Sequence, residues 1–321
     1  MISVDATIII VNWNGGALLK ECLQSLAAQT VIPREILVFD NGSSDGSIEL
    51  VENLPGISVQ RLACNFGFAF ANNQAVMECK TKHIVLLNPD AIAESQWLEN
   101  LIRAADEHPE VSIFGSRQIM LSNKSLIDGL GDRYHFSGLV RRDGFGMPVQ
   151  NYNSDKKPIF SACACAVLYR REAFEAVHGF DEDYFCYVED VDLGFRMRLA
   201  GYKAMSVPTA IVYHAGSASS GGHRSDFSIY HGHRNLVWTY IKNMPTYLFW
   251  ILLPMHIALN VYSIYYFSLH GKRKVIWRAK WDAIKGIPKM WQKRSLIQAQ
   301  RQVSAAEIWS LLDKRLNLVR K

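Results

Sequence analysis

The sequence predicts an α/β fold, a doubly wound mixed sheet with helices on both faces, and three observations carry that prediction. Apolar, β-branched runs alternate with stretches of helical apolar spacing through residues 1–110. The runs are apolar at every position, the pattern of parallel strands buried on both faces. Short polar breaks separate strand from helix, as in βαβ units.

Thr7, Ile8, Ile9, Ile10 and Val11 form the first strand, which Asn12, Trp13, Asn14, Gly15 and Gly16 end. Leu18, Leu19, Cys22, Leu23 and Leu26 recur at helical spacing, so a helix packs back on the sheet. Residues 35–40 are a second strand ending in Asp40, and 41–47 a turn in which Asp45 or Ser47 can cap the next helix. Residues 57–62 supply a third strand and 69–79 a helix; 83–87 is a fourth strand running into Asn88, Pro89 and Asp90, with a helix over 97–107. Residues 111–180 are less regular, rich in Gly, Arg and aromatics, with a strand over 161–169. Leu193, Arg196, Met197 and Leu199 suit a helix ended by Gly201. Two short strands, 203–207 and 210–213, lead to His214, and 217–226 reads as a mobile Ser/Gly-rich segment.

Composition excludes several classes. At 321 residues, 49% hydrophobic and 20% charged, the chain is neither disordered nor collagen-like. Six cysteines without a second matching pair give neither a zinc site nor a disulfide scaffold, which favours a reduced, cytosolic setting. Residues 1–5 lack the basic start of a signal peptide. No P-loop or GxGxxG pattern is present, against NTPase and dehydrogenase readings.

Ligands in such sheets bind beyond the carboxyl ends of the strands. Three polar clusters fall there: Asn12-Trp13-Asn14, Asp40-Asn41-Gly42 and Asn88-Pro89-Asp90. A fourth acidic group, Asp183, Glu189, Asp190 and Asp192, borders an aromatic stretch. Helix capping accounts for such carboxylates as well as a general base over an acceptor hydroxyl does. Asp90 beside Asn88 suits a divalent cation, and His214 could join it, although position alone favours a structural histidine.

Five motifs in order resemble a known family: Val11-Asn12-Trp13-Asn14; residues 38–47 through Asp40-Asn41-Gly42; Asn65-Phe66-Gly67-Phe68-Ala69; Leu87-Asn88-Pro89-Asp90; and Glu189-Asp190-Val191-Asp192-Leu193. The chain resembles family 2 inverting glycosyltransferases of the GT-A fold, most of all the bacterial rhamnosyltransferase-like branch that builds O-antigen and related polysaccharides. The resemblance covers roughly residues 5–240 and implies a GT-A catalytic domain over 1–240, with a nucleotide-sugar half (1–110) and an acceptor half (111–240). It implies that Asn12 and Asp40 line the base pocket and that Asn65, Gly67 and Asn72 lie against nucleotide and sugar. Asn88 and Asp90 stand at the Asp-x-Asp position, with Asp90 as ligand of Mg²⁺ or Mn²⁺. His214 approaches the metal or diphosphate, Arg234 contacts the diphosphate, and Asp190 is the catalytic base. Glu189 and Trp13 fall on the acceptor side. Asn88 replaces the first acid of the motif, and Ala164 stands where relatives often have Gly. The implied donor is dTDP-L-rhamnose, with a UDP-hexose as the alternative in the same class and a catalytically silent sugar-nucleotide-binding scaffold as the alternative outside it. The acceptor is a lipid-linked saccharide.

Residues 241–321 differ in character. No Lys, Arg, Asp or Glu occurs from Asn243 to Gly271, and from there to Lys321 fourteen Lys/Arg face three acids, a net +11 that leaves −6 for residues 1–270. Length alone permits a transmembrane helix. Pro254 and a polar row of His256, Asn260, Ser263 and His270 oppose it, as does the charge of the tail under the positive-inside tendency. The expectation is a set of amphipathic helices lying peripherally on the cytoplasmic face of the bacterial inner membrane. Trp277, Trp281, Trp291 and Trp309 would sit in the interface and basic residues on anionic headgroups. A core helix and a true span remain the alternatives. No nucleic-acid-reading motif accompanies the charge, and a homodimer through these helices stays open.

Overall fold

The structure, a computed structural model, describes residues 2–152, 155, 157–216 and 225–315, so most of the segment expected to be mobile lies outside the described residues. Strand β1 (Ile2–Asn12) is followed by α1 (Gly16–Ala27), β2 (Val31–Asp40), β3 (Ile57–Arg61), α2 (Phe68–Glu78), β4 (His83–Leu87), β5 (Ala91–Ala93) and α3 (Trp97–Glu107). The middle of the chain holds β6 (Val111–Met120), β7 (Ile127–Gly129), the pair β8 (Asp132–Tyr134) and β9 (Val140–Arg142), β10 (Lys157–Pro158), β11 (Ala166–Arg170) and α4 (Arg171–Ala176). Then come α5 (Glu189–Leu199), β12 (Lys203–His214), α6 (Asp226–Asn243), α7 (Thr246–Leu269), α8 (Arg273–Lys285), α9 (Ile287–Ala299) and α10 (Ala305–Leu311).

Ten of these strands form one mixed sheet, in the order β10-β12-β6-β11-β4-β1-β2-β3 with β5 added on β12 and β7 on β6, and β8–β9 form a separate hairpin sheet. β1 pairs in parallel with both β2 and β4, so the chain turns in opposite directions from β1 and a crevice opens at the strand ends. Two-sided burial, read from the continuous apolar run, is what β1 shows: Ile8 and Ile10 enter one core, Ile9 and Val11 the other. Truncating Ile9 to Ala would cost about 2–5 kcal/mol through transfer and cavity terms.

Three expectations change. The strand expected over 161–169 is confined to Ala166–Arg170, because the backbone before it serves the site: Cys165 O accepts from Asn88 N at 2.8 Å and Ala164 N donates to Asp190 Oδ2 at 3.1 Å. The two short strands are one, Lys203–His214, whose register on β6 slips between Val207 and Ile211 around Pro208, which has no N–H for the ladder. The irregular middle contains β6, buried along nearly its whole length.

Of the C-terminal helices, α7 turns its faces the other way from a surface helix of a soluble protein. On α7 the polar row faces inward, except for His270, which caps the helix and is exposed: His256 and Ser263 are buried, His256 Nδ1 lies 2.8 Å from Ser137 O, and Asn260 Oδ1 accepts from Lys280 Nζ at 2.6 Å. Its outer face is apolar, with Trp250, Ile251, Ile257, Val261, Tyr265 and Leu269 exposed. The inner side joins a third core that includes Tyr134, Phe195, Trp238 and Tyr240. Among the described residues α7 is the one helix long and apolar enough to cross a membrane.

Candidate active site

The carboxyl ends of β1, β2 and β4 open on a cavity of about 960 Å³. Its lining brings together Trp13, Asn65, Gly67, Asn88, Asp90, Glu189, Asp190 and His214 from the sequence-derived set. Asn12, Asp40, Asn72 and Arg234 stand outside that lining, each for a visible reason.

Asn12 and Asp40 build the wall behind the cavity. Asn12 Nδ2 donates to Ser43 Oγ at 3.0 Å and Ser47 Oγ at 2.9 Å, while Asp40 Oδ1 accepts from Ser43 N at 3.2 Å. The same turn is tied to the end of β1: Asn14 N donates to Ser43 Oγ and Gly16 N to Asp45 Oδ2. Asn41, passed over as a turn residue, holds the next loop, since its amide donates to Asn65 Oδ1 at 3.0 Å and its carbonyl accepts from Phe66 N at 2.9 Å. Gly67 has φ +92°, and a Cβ there would lie 2.7 Å from Phe185 O, so only glycine permits this approach. Asn72 is buried and donates to Phe68 O within its own helix.

Asp90 and His214 meet at the centre. His214 Nδ1 lies 2.8 Å from Asp128 Oδ2, which fixes the ring and turns Nε2 toward Asp90 Oδ1 at 3.3 Å. Burial alone would lower the imidazole pKa; the Cys165 thiol and the Asp128 and Asp90 carboxylates outweigh it and hold the value well above the ordinary one. The Asp90 and Asp128 carboxylates make this corner of the cavity favourable to a cation, which would take the place of the ring proton on His214. Among the described residues no three His, Cys, Asp or Glu side chains group to hold a metal unaided. A carboxylate and a carboxylate-oriented imidazole fit a divalent ion whose remaining ligands are phosphate oxygens and water.

Asp190 stands opposite, at the start of α5. Its Oδ2 accepts from Ala164 N and its Oδ1 from Val191 N at 2.8 Å. Burial raises its pKa, while those two amides and Arg142 pull it back down, leaving it above the ordinary carboxylate value. Burial and the neighbouring Asp190 drive Glu189 well above its own. The residues leading into α5 are strained: Phe185, Tyr187 and Val188 have φ of +64°, +68° and +69°. Such conformations persist where the surroundings over-determine them. Arg234 and Asn235 do so here. Arg234 Nη2 donates to Asp183 O at 3.1 Å and Tyr184 O at 2.9 Å, and the buried Asn235 Nδ2 donates to Tyr184 O, Cys186 O and Tyr187 O. The Arg234 guanidinium thus supports the loop of the base and stacks on Trp238, 4.3 Å from its ring centre.

The acidic run divides. Asp181 and Asp183 pair with Lys293. Asp192 is fully buried between Arg196 and Lys242, each at 2.8 Å. Only Glu189 and Asp190 of that run face the cavity. Sequence reasoning missed Asp128, Asp132 and Arg142, charged residues in a stretch read only as irregular; the lone signal was acid and base among buried aromatics.

The family model described as glycosyl transferase family 2 matches residues 7–177. The chain is similar to the N-acetylglucosaminyl-diphospho-decaprenol L-rhamnosyltransferase of Mycobacterium tuberculosis (strain CDC 1551 / Oshkosh), 28% identical over 245 residues, which are 67% of this chain and 77% of that protein. It is also similar to the O-antigen chain rhamnosyltransferase RfbN of Salmonella typhimurium, 27% identical over 65% of this chain and 66% of that one. Among solved structures, GalNAc-T7 with UDP, GalNAc and Mn²⁺ superposes with TM-score 0.60 at 17% identity, over 74% of this chain but 47% of its own. Mannosyltransferase PcManGT from Pyrobaculum calidifontis, with GDP-Man and Mn²⁺, gives 0.56 at 16% identity over 97% and 88%. The fold is the GT-A fold of these glycosyltransferases.

Proposed function

Because the chain belongs to glycosyl transferase family 2, we propose that it transfers L-rhamnose from dTDP-L-rhamnose, with inversion, to a lipid-linked saccharide in cell-surface polysaccharide synthesis. The observation that carries this reading is the convergence of Asp90, His214 and Asp190 on one cavity whose back wall is the Asn12–Asp40 turn. The L-rhamnosyl and lipid-linked parts are supported by the names of the mycobacterial and Salmonella relatives.

Asn12 and Asp40 brace the base-binding turn, and Asn65 and Gly67 shape its floor. Asp190, desolvated yet held ionisable by two backbone amides, accepts the acceptor hydroxyl proton as that oxygen attacks the anomeric carbon. The nucleotide diphosphate leaves from the opposite face. Asp90 and His214 would hold Mg²⁺ or Mn²⁺, which supplies charge neutralisation for the leaving diphosphate. Trp13 and Glu189 line the acceptor side.

The inverted α7 supports a peripheral place at the cytoplasmic membrane face. Trp291 packs beside Trp250 of that surface, and Trp277 and Trp281 are exposed too, among Lys and Arg, which suits anionic lipid. Sedimentation with phosphatidylglycerol vesicles, but not phosphatidylcholine vesicles, is the expected result.

A thermal-shift and turnover screen of dTDP-, UDP- and GDP-sugars with Mg²⁺ or Mn²⁺ tests the donor. Stabilisation and slow hydrolysis with dTDP-L-rhamnose is expected. Preference for a UDP-hexose would replace the donor assignment, and binding without turnover of any donor would favour the silent scaffold.

A further inference from the structure

A second carboxyl faces the cavity near Asp190 from a different element. Asp132 opens β8, is buried, and lines the cavity together with Val140, Arg141 and Arg142 of β9. Its backbone is already engaged, Asp132 N donating to Ser161 O at 2.9 Å. Its side-chain Oδ2 makes no well-formed hydrogen bond, although the Ser161 hydroxyl, itself unpaired, lies beside it. Arg142 lies opposite in register, but its guanidinium donates to Asp128 Oδ2 at 2.7 Å and Cys163 Sγ at 3.3 Å. A buried carboxyl oxygen without a partner costs free energy unless a ligand meets it.

Position indicates which ligand. The nucleotide end of the cavity is built from the ends of β1 and β2, whereas the β8–β9 hairpin bridges to the segment before β11, on the far side of β4. The hairpin tip touches the C-terminal helices, through Ser137 O and His256 on α7 and through Phe136 and Trp309 on α10. A lipid-borne acceptor resting on those helices would approach from this side.

We propose that Asp132 is a further catalytic residue: it keeps its proton and donates a hydrogen bond to the acceptor hydroxyl, turning that hydroxyl's own proton toward Asp190. The hydroxyl proton passes to Asp190 and the Asp132 proton stays in place. The inference rests on Asp190 being the base. The groups facing Asp132 are Asp190 and Glu189 from α5, Arg142 from β9, Asp128 from β7, Ser161 and Cys163 from the segment before β11, and Tyr169 from β11. Burial and then the Asp190 charge raise the Asp132 pKa to about 8, against the pull of Arg142. Two like carboxyls in one dry site share a single charge in this way.

The test combines a ¹³C-carboxyl NMR titration of the full chain with the pH profile of donor hydrolysis, in which water stands in for the acceptor. Wild type should show a carboxyl titrating near pH 8 that is absent in D132N and moved to lower pH in D190N, beside a Glu189 resonance that also titrates high and persists in D132N. Hydrolysis should fall as pH rises through that value. D132N, whose amide still donates, should lose this alkaline limb with donor KM within about twofold, and D132A should be slowed about tenfold at constant donor KM. A D132N profile that keeps the limb, the absence of a carboxyl titrating above pH 6 that D132N removes, or a D132N as inert as D190N would overturn the proposal. An active D190N would instead remove the base assignment, and with it the role of Asp132 in turning a proton toward Asp190.

Discussion

The two ends of the cavity are built on different principles. At the nucleotide end, Asn12, Asn41, Asn65, Ser43 and Ser47 bond one another and the backbone, so the loops are held by short, mostly neutral hydrogen bonds and the one orphan among these side chains is a neutral amide oxygen, Asn12 Oδ1. At the far end, Asp132, Glu189 and Asp190 crowd together, two of them with an orphaned oxygen, beneath a loop with three non-glycine residues at positive φ. A satisfied wall suits recognition, since it presents one shape at little reorganisation cost. A frustrated one suits chemistry, since the unmet charge and strain are relieved when substrate arrives.

The contrast can be broken in graded ways. The largest effect is expected beneath the base, at Asp192, whose burial is offset by Lys242 and Arg196. D192N should cost about 3–5 kcal/mol in urea unfolding, because it strands buried cations. The same network makes stability acid-sensitive. Burial would raise the pKa of Asp181 and Asp192, but Lys242, with Lys293 at Asp181 and Arg196 at Asp192, holds both below the ordinary carboxylate value. Their contribution is full above the unfolded pKa of about 3.9 and is lost as pH falls through the folded values, so unfolding curves should weaken below about pH 4, and less so in D192N. A smaller effect is expected at Asn235. N235A frees three carbonyls of the strained loop and should lower kcat about 10- to 100-fold with donor Kd nearly unchanged, measured by calorimetry and turnover. The smallest is at the exposed Asp45, where D45A should raise donor Kd by no more than about threefold while leaving kcat alone, because its bonds to Ser47 and Gly16 compete with water.

The same contrast governs what the sequence discloses. The nucleotide end is made of residues next to strand ends, where an apolar run stops at Asn12, Asp40 or Asn88, so each announces itself locally. Asp132 and Arg142 come from three-residue strands in a stretch without periodicity, and reach the cavity only through pairing with one another and a bridge from Asp132 to Ser161. Nothing within their own segments encodes that contact. Arg234 and Asn235 were legible as a pair, but their work on the 183–187 backbone depends on α6 packing against α5, a tertiary fact. On α7 the polar row was visible and its direction was not: helical spacing identifies a face, and what packs there, here Ser137, Tyr240 and Lys280, decides whether it meets water.

The central claim is that binding and chemistry are separated along one cavity. Donor Kd and kcat measured side by side on D40N and D190N test it most directly. The account predicts that D40N weakens donor binding about tenfold or more while kcat at saturation stays within a fewfold, and that D190N binds donor as wild type does yet turns over at least about 10³-fold more slowly. Variants that lose both properties together, or a D190N that still transfers sugar, would contradict it.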